Sequence, residues 1–236
     1  MPACQVEVVA STPEDVCAAA DGGADRVEFC THLGSGGLTP GRALVQVALE
    51  EARSRNVGVR VLVRPREGDF VYSAAERKAI LHEAEALMAM GVDRVVTGGL
   101  DAAGWPDQEL MSALDRSVGL QHVVFHRALD EITDASACAR RLLEAGVQTV
   151  LSSGGAVRAV DGIGRIEAWV RSGLQVVAGA GVLPEHAEPL MAAGVEALHA
   201  SCRMPKATQG TGLFDHSRSA VSREQVSRLV DAVRRI

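Results

Sequence analysis

Two short stretches hold most of the side chains in this sequence that could do chemistry. In Arg64-Pro65-Arg66-Glu67-Gly68-Asp69-Phe70, two arginines flank a stiffening proline. The guanidinium fork matches a carboxylate or a phosphate. In Phe125-His126-Arg127-Ala128-Leu129-Asp130, an imidazole is followed by a cation and a carboxylate. Histidine is the side chain most readily tuned for proton transfer near neutral pH. An arginine can hold an anionic ligand while a neighbouring histidine exchanges a proton with it, and Asp130 or Glu7 can set the imidazole tautomer. The candidate catalytic set is Glu7, Arg64, Asp69, His126, Arg127, Asp130 and His199. Each has a plainer reading. Asp130 can cap the next helix, His126 can be a satisfied core residue, and the charges can form a structural network.

A second group is rich in glycine: Ser152-Ser153-Gly154-Gly155, Gly179-Ala180-Gly181 and His199-Ala200-Ser201. Such exits let backbone N–H groups approach an anion. Ser153, Gly154, Gly179, Gly181 and Ser201, with Arg66, are the candidate anion-binding residues. Glycines also serve tight βα turns, which is the competing reading.

The elements that must position these residues follow from an internal repeat. Gly23-Ala-Asp-Arg-Val-Glu-Phe, Gly91-Val-Asp-Arg-Val-Val-Thr, Gly146-Val-Gln-Thr-Val-Leu-Ser and Gly194-Val-Glu-Ala-Leu-His-Ala share one pattern. A glycine ends a helix and an apolar run starts a strand. A second family of junctions lies between them: Arg55-Asn-Val-Gly58, Arg116-Ser-Val-Gly119 and Arg171-Ser-Gly173. With the N-terminal strand these junctions give eight β/α alternations over 236 residues. The expectation is an α/β fold, a closed (β/α)8 TIM barrel with helices outside, as a single domain spanning 1–236. A doubly wound open sheet is the rival, but Gly34-x-Gly36-Gly37 lacks the dinucleotide-binding spacing. The stretch from Ser201 to Val221 has no clear periodicity, and a loop of that length shapes a site or an interface.

Alternation along strands assigns faces. Glu7, Glu28, Cys30, Arg60, Leu62, Arg64, His122, Val124, His126, His199 and Ser201 are expected inside. Val6, Val8, Val27, Phe29, Val61, Val63, Val123, Phe125 and Leu198 are expected against the helices. A barrel lumen is ordinarily filled by branched apolar residues. For Glu28 with Arg60 a structural ion pair is favoured. Arg64 ends its strand where barrels bind ligands, so a functional role is favoured.

Charge excludes some classes. There are 24 Lys+Arg against 30 Asp+Glu, a net charge of −6, which argues against a nucleic-acid partner. The longest apolar runs are too short to span a membrane, and the N-terminus lacks a signal-peptide pattern. Five scattered cysteines form no CxxC pair, which suits a reducing cytoplasm.

Several strings taken together resemble the copper homeostasis protein CutC family. They are Ala24-Asp-Arg-Val-Glu-Phe-Cys30, Gly36-Gly-Leu-Thr-Pro40, Arg64-Pro-Arg66-x-Gly68-Asp69-Phe70-x-Tyr72-Ser73, Val96-Thr-Gly98 with Leu100-Asp101, Phe125-His126-Arg127-Ala128-x-Asp130, Leu151-x-Ser153-Gly154 and Ala178-Gly-Ala-Gly181-Val182. The resemblance runs from Glu7 to about Gly212. It implies a cytoplasmic TIM barrel that forms a homo-oligomer and binds copper(I). Members of that family often carry cysteines just after the residue matching Glu7, and here Glu7-Val-Val-Ala-Ser11 has none. Cu(I) prefers soft ligands, which leaves Cys30, with Cys202 and Met204 as further candidates. The resemblance thus points to a copper-binding protein. The polar lumen, the arginine pair and the glycine loops point to an enzyme or sensor for a small phosphorylated or carboxylated metabolite.

Overall fold

A computed structural model describes residues 4–206 and 218–236. Eight strands run in parallel: β1 (Gln5–Ala10), β2 (Arg26–Phe29), β3 (Gly58–Leu62), β4 (Arg94–Thr97), β5 (Val123–Phe125), β6 (Thr149–Ser152), β7 (Gln175–Gly179) and β8 (Ala197–Ala200). They pair in sequence order, and β8 returns to β1 in the register Glu7↔His199, so the barrel is closed. The main helices are α1 (Pro13–Asp21), α2 (Arg42–Arg55), α3 (Ala74–Met90), α4 (Gln108–Val118), α5 (Ala135–Ala145), α6 (Ile163–Arg171), α7 (Ala187–Ala192) and α8 (Arg223–Arg234). This is the expected (β/α)8 TIM barrel.

Local signals set the element ends. Thr12, Asp107, Asp134 and Ser222 cap helix N-termini, and Ser73 with Glu76 forms a capping box, each satisfying backbone N–H groups that lack helical partners. The repeated glycines Gly23, Gly91, Gly146 and Gly194 all have positive φ, a conformation that costs glycine little. The junction before β3 differs from its sequence counterparts. Asn56, not Gly58, takes the left-handed conformation there (φ 53°). A Cβ on Gly58 would lie 2.7 Å from Asp93 Oδ2, so that glycine makes room for a carboxylate that accepts from the Val59 N–H.

The parity reading holds for the apolar side chains. Val6, Val8, Val27, Phe29, Val61, Val63, Val123, Phe125 and Leu198 belong to the layer between barrel and helices. Cys30, Leu62, Val96, Val124, Leu151, Val177 and Ala197 form a separate cluster in the lumen. Three expectations need correction. Strand β5 starts at Val123, because His122 closes a 3-10 turn in which its N–H donates to Gly119 O. Residues 201–221 are not wholly irregular: β9 (Arg203–Lys206) and β10 (Arg218–Val221) form an antiparallel ribbon. Gly210 and Gly212 lie outside the described residues. Buried Asp15 anchors that ribbon, accepting from Arg203 Nη1 (2.8 Å) and the Val221 N–H (2.9 Å).

The third correction concerns the lumen charges. Arg60 does not pair with Glu28. It pairs with Glu7 at 2.9 Å, and Arg26 reaches the same Glu7 oxygen at 2.5 Å. Side chains from alternate strands of a tilted barrel meet in one layer, so Arg60 of β3 reaches Glu7 of β1 across β2. The other Glu7 oxygen lies 2.8 Å from His199 Nδ1, and Glu196 supports Arg26 from the rim at 2.9 Å.

Burial pushes the Glu7 carboxyl up, but Arg60, the His199 bond and Arg26 outweigh it and hold it far below the usual carboxylate range. Glu7→Ala takes the close carboxylate partner from buried Arg60 and leaves Arg26 with Glu196, so it should cost about 3–5 kcal/mol in denaturant melts. The folded-state pKa lies below the unfolded one. The stabilisation is therefore present above the ordinary glutamate value of 4.5 and is lost as pH falls below it. Acid unfolding should accordingly be less steep in Glu7→Gln than in the wild type.

Candidate functional site

A cavity of about 890 Å³ opens at the C-terminal ends of the strands. That is the size of a small-molecule site on the face where barrels keep their chemistry. Of the residues singled out from sequence, Cys30, Arg64, His126, Arg127, Asp130, Gly181, His199 and Ser201 line it. Glu28 lines it as well. The sequence pattern favours a structural ion pair with Arg60 for Glu28, and the fold gives it a place on the cavity wall instead.

Arg64 leaves the end of β3 with its backbone tied down, since its N–H donates to Thr39 Oγ1 at 2.8 Å. Its Nη1 donates to Ser35 O (2.8 Å) and Gly37 O (3.2 Å), and its Nη2 to Gly68 O (2.8 Å). Gly37 has φ 93°, and a Cβ there would lie 2.8 Å from Leu62, which explains the glycine pair in this loop. The guanidinium stacks on Phe70, 4.9 Å from the ring centroid. Its Nε is buried without a hydrogen-bond partner among the described residues.

His126 follows β5 and packs against the other ring neighbours of the mouth, with centroids 4.9 Å from Phe70 and 6.0 Å from Phe125. Burial, first, and then Arg64 push its pKa down to about 4. The Ala128 N–H donates to Nδ1 at 3.3 Å. The neutral ring therefore carries its proton on Nε2. That atom too is buried and unpartnered among the described residues.

At the floor, Glu7 is ionised, so His199 Nδ1–H donates to it. His199 Nε2 lies 3.7 Å from Glu28 Oε2. Burial alone would lower the His199 pKa, but Glu28 and Glu7 outweigh it and raise it. Burial raises Glu28. Two acceptors thus compete for a proton beside a permanent anion. Glu28 Oε1 is buried with no partner among the described residues.

The exit of β6 holds an anion supplied by the chain itself. Asp130 accepts from Ser152 Oγ (2.5 Å), Ser153 N (3.1 Å), Gly155 N (3.1 Å) and Arg127 Nε (2.9 Å). Ser153 Oγ is 2.9 Å away. Asp130 is therefore not a helix cap; Asp134 caps α5. Gly154 is held by packing, because a Cβ would lie 2.3 Å from Gly162 O. A Cβ on Gly179 would meet Leu151 at 2.7 Å, and one on Gly181 would meet Arg158 at 2.9 Å. Ser153, Gly154 and Gly179 do not line the cavity. Neither do Arg66 and Asp69, which bind each other at 3.2 Å. Arg66 also pairs with Glu76 at 2.5 Å and stacks on Tyr72, so this arginine braces the loop after β3.

The soft ligands do not converge. Cys30 sits in the lumen cluster, whereas Cys202 packs against the outer core. Burial, with Glu28 next, pushes the Cys30 thiol well above its ordinary range, and burial lifts Cys202 to about 11. Met204 is half exposed on β9. Among the described residues no group of three or more His, Cys, Asp or Glu is placed to hold a metal ion. No helix among them is long and apolar enough to cross a membrane.

Imidazole resonances resolve the two histidines. His126 should stay neutral, with its proton on Nε2, down to about pH 4, while His199 should remain charged above its ordinary 6.5. The unfolded chain protonates His126 near 6.5, so its contribution to stability is complete above that pH and is lost as pH falls toward 4.

The comparisons agree with this architecture. A CutC family protein of Xanthomonas campestris is 38% identical over 208 residues, 86% of this chain and 85% of the relative. One from Chromobacterium violaceum is 35% identical over 97% of both chains. The solved CutC structure from Streptococcus agalactiae superposes with a TM-score of 0.78 at 25% identity, covering 84% of this chain and 98% of that one. Thiamine phosphate pyrophosphorylase from Pyrococcus furiosus, at 16% identity and a TM-score of 0.63, shares the fold alone. With the CutC family model matching residues 4–204, the chain belongs to the CutC family.

Proposed function

We propose that this chain serves copper homeostasis, as the name of its Streptococcus agalactiae neighbour suggests, by binding a small carboxylated or phosphorylated metabolite in the barrel mouth as an enzyme or sensor. The observation that carries the reading is a pair of buried N–H donors. Arg64 Nε and His126 Nε2 both belong to cavity-lining side chains, and neither has a partner among the described residues. A buried donor left unmet costs about 1–3 kcal/mol. Both atoms are closed to water in this structure, so an anion meets them as the side chains at the mouth shift to admit it, and charge-assisted bonds to a guanidinium are the stronger kind. All five cysteines are free, which supports a reducing cytoplasm as the working compartment.

The residues present do not fit a resident Cu(I). One lumen thiol, held protonated by burial, offers little to an ion that wants several soft ligands. In a Cu(I) titration against a competing chelator the expected affinity is weak. A tight affinity abolished by Cys30→Ser would restore direct copper binding.

Phosphate and small 2-oxo acids at millimolar concentration should raise the wild-type melting temperature. Arg64→Ala should weaken that binding by about 2–5 kcal/mol. Because Arg64 also ties down three carbonyls, the quantity to compare is the ligand-induced shift and not the bare melting temperature. No shift in the wild type contradicts the reading. An Arg64→Ala protein that loses stability but keeps the full shift would make Arg64 purely structural.

A further inference from the structure

The cavity has an acidic floor as well as a cationic mouth. An anion-binding role uses only the mouth. Glu28 comes from the middle of β2, is 5% exposed, lines the cavity, and presents a carboxylate oxygen that nothing in the described residues binds. Either protonation state leaves Oε1 unmet by the described residues, and although the atom is closed to water here, it belongs to a cavity-lining side chain whose rotation brings it to a ligand. Its second oxygen faces His199 Nε2 at 3.7 Å, and His199 is oriented from behind by Glu7 at 2.8 Å. Three strands further round the barrel, just after β5, the same cavity is lined by an imidazole of opposite character. His126 is neutral and presents an N–H, not a lone pair. A neutral imidazole donor can polarise a carbonyl oxygen without giving up its proton, and a carboxylate with a raised pKa is a suitable base at neutral pH.

We propose, building on the anion-binding reading, that this cavity catalyses proton transfer at the carbon next to a carbonyl group of a small anionic ligand, with Glu28 as the base and His126 Nε2–H as the donor to the carbonyl oxygen. The ligand class is a 2-oxo acid or a ketone phosphate, its anionic group facing Arg64. In the forward step the C–H bond breaks and its proton passes to Glu28 Oε1. The electron pair forms the C=C bond of an enolate, and the negative charge arriving on oxygen is met by His126 Nε2–H. Return of the proton to the same carbon exchanges hydrogen with solvent. Return to the neighbouring carbon or to oxygen gives an isomer. No oxidant, reductant or second substrate is consumed. His199 and Glu7 are positioning residues, which hold Glu28 and set its charge.

The test is proton NMR in D2O with dihydroxyacetone phosphate and 2-oxobutanoate as probes. The wild type should accelerate loss of the C–H signal next to the carbonyl. Glu28→Gln should slow that loss by about 100-fold or more while keeping the probe-induced rise in melting temperature. If Glu28→Gln does not fold, Glu28→Asp, which withdraws the carboxylate by one methylene, should still bind the probes and exchange more slowly. His199→Gln should keep exchange but move its half-maximal pH upward, since the imidazolium favours the Glu28 carboxylate. The other charged groups around this pair, Glu7 on β1, Arg26 on β2 and Arg60 on β3, stay in place. Binding of the probes without exchange, or exchange unchanged in both Glu28 variants, overturns the proton-transfer proposal and leaves anion binding standing. Failure of both probes to bind overturns both readings.

Discussion

Glu7 brings one carboxylate into a part of the barrel that holds two buried guanidinium groups and an imidazole. Each of these is costly to bury alone. Arg26 and Arg60 share one of its oxygens and His199 takes the other. Three consequences follow from this arrangement. The lumen charges are paired, so the barrel can close around them. The His199 ring is fixed with Nδ1 toward Glu7 and Nε2 toward the cavity. And because Glu7 engages both arginines, Glu28 has neither as a direct partner. A buried carboxylate with no guanidinium partner, facing His199 Nε2 at 3.7 Å, is the feature that gives the cavity floor its chemistry.

The mouth is built on a similar principle. Asp130 fills the glycine and serine donors after β6 and ties them to the loop after β5, which carries His126. The loops after β2 and β3 are tied together through Arg64, whose two terminal nitrogens make three bonds to carbonyls. Among the described residues this leaves uncommitted Arg64 Nε–H with one Nη2–H, His126 Nε2–H and Glu28 Oε1, each on a cavity-lining side chain held by packing or hydrogen bonds. Such preorganisation is what a binding or catalytic site requires.

Much of this was legible in the sequence. The glycine-to-strand junctions located seven strands and the N-terminal run the eighth, and alternation separated Val6, Phe29 and Phe125 from Cys30, Leu62 and Val124. Arg64, His126 and His199 could be placed in the lumen by parity alone. Pairing could not. Glu28 and Arg60 are neighbours in register, yet strand tilt sends Arg60 to Glu7, and tilt is a property of the closed sheet. The Ser153-Gly154 exit read as a cradle for an external anion. Its occupant, Asp130, comes from another βα loop, and no local pattern marks that contact. Arg66 looks equivalent to Arg64 in sequence, but Glu76, two residues into the first turn of α3, claims it. Asp15 gave no signal, because its partners Arg203 and Val221 are about two hundred residues away.

In the proposed function, Arg64 Nε–H and His126 Nε2–H together receive an anion. Following these two N–H resonances by NMR while inorganic phosphate is added tests it most directly. Both should move downfield together and exchange more slowly with water, while Arg66 Nε–H, already bound to Glu76, stays where it is. Saturating phosphate that leaves Arg64 and His126 unmoved, or that moves Arg66 instead, would contradict it.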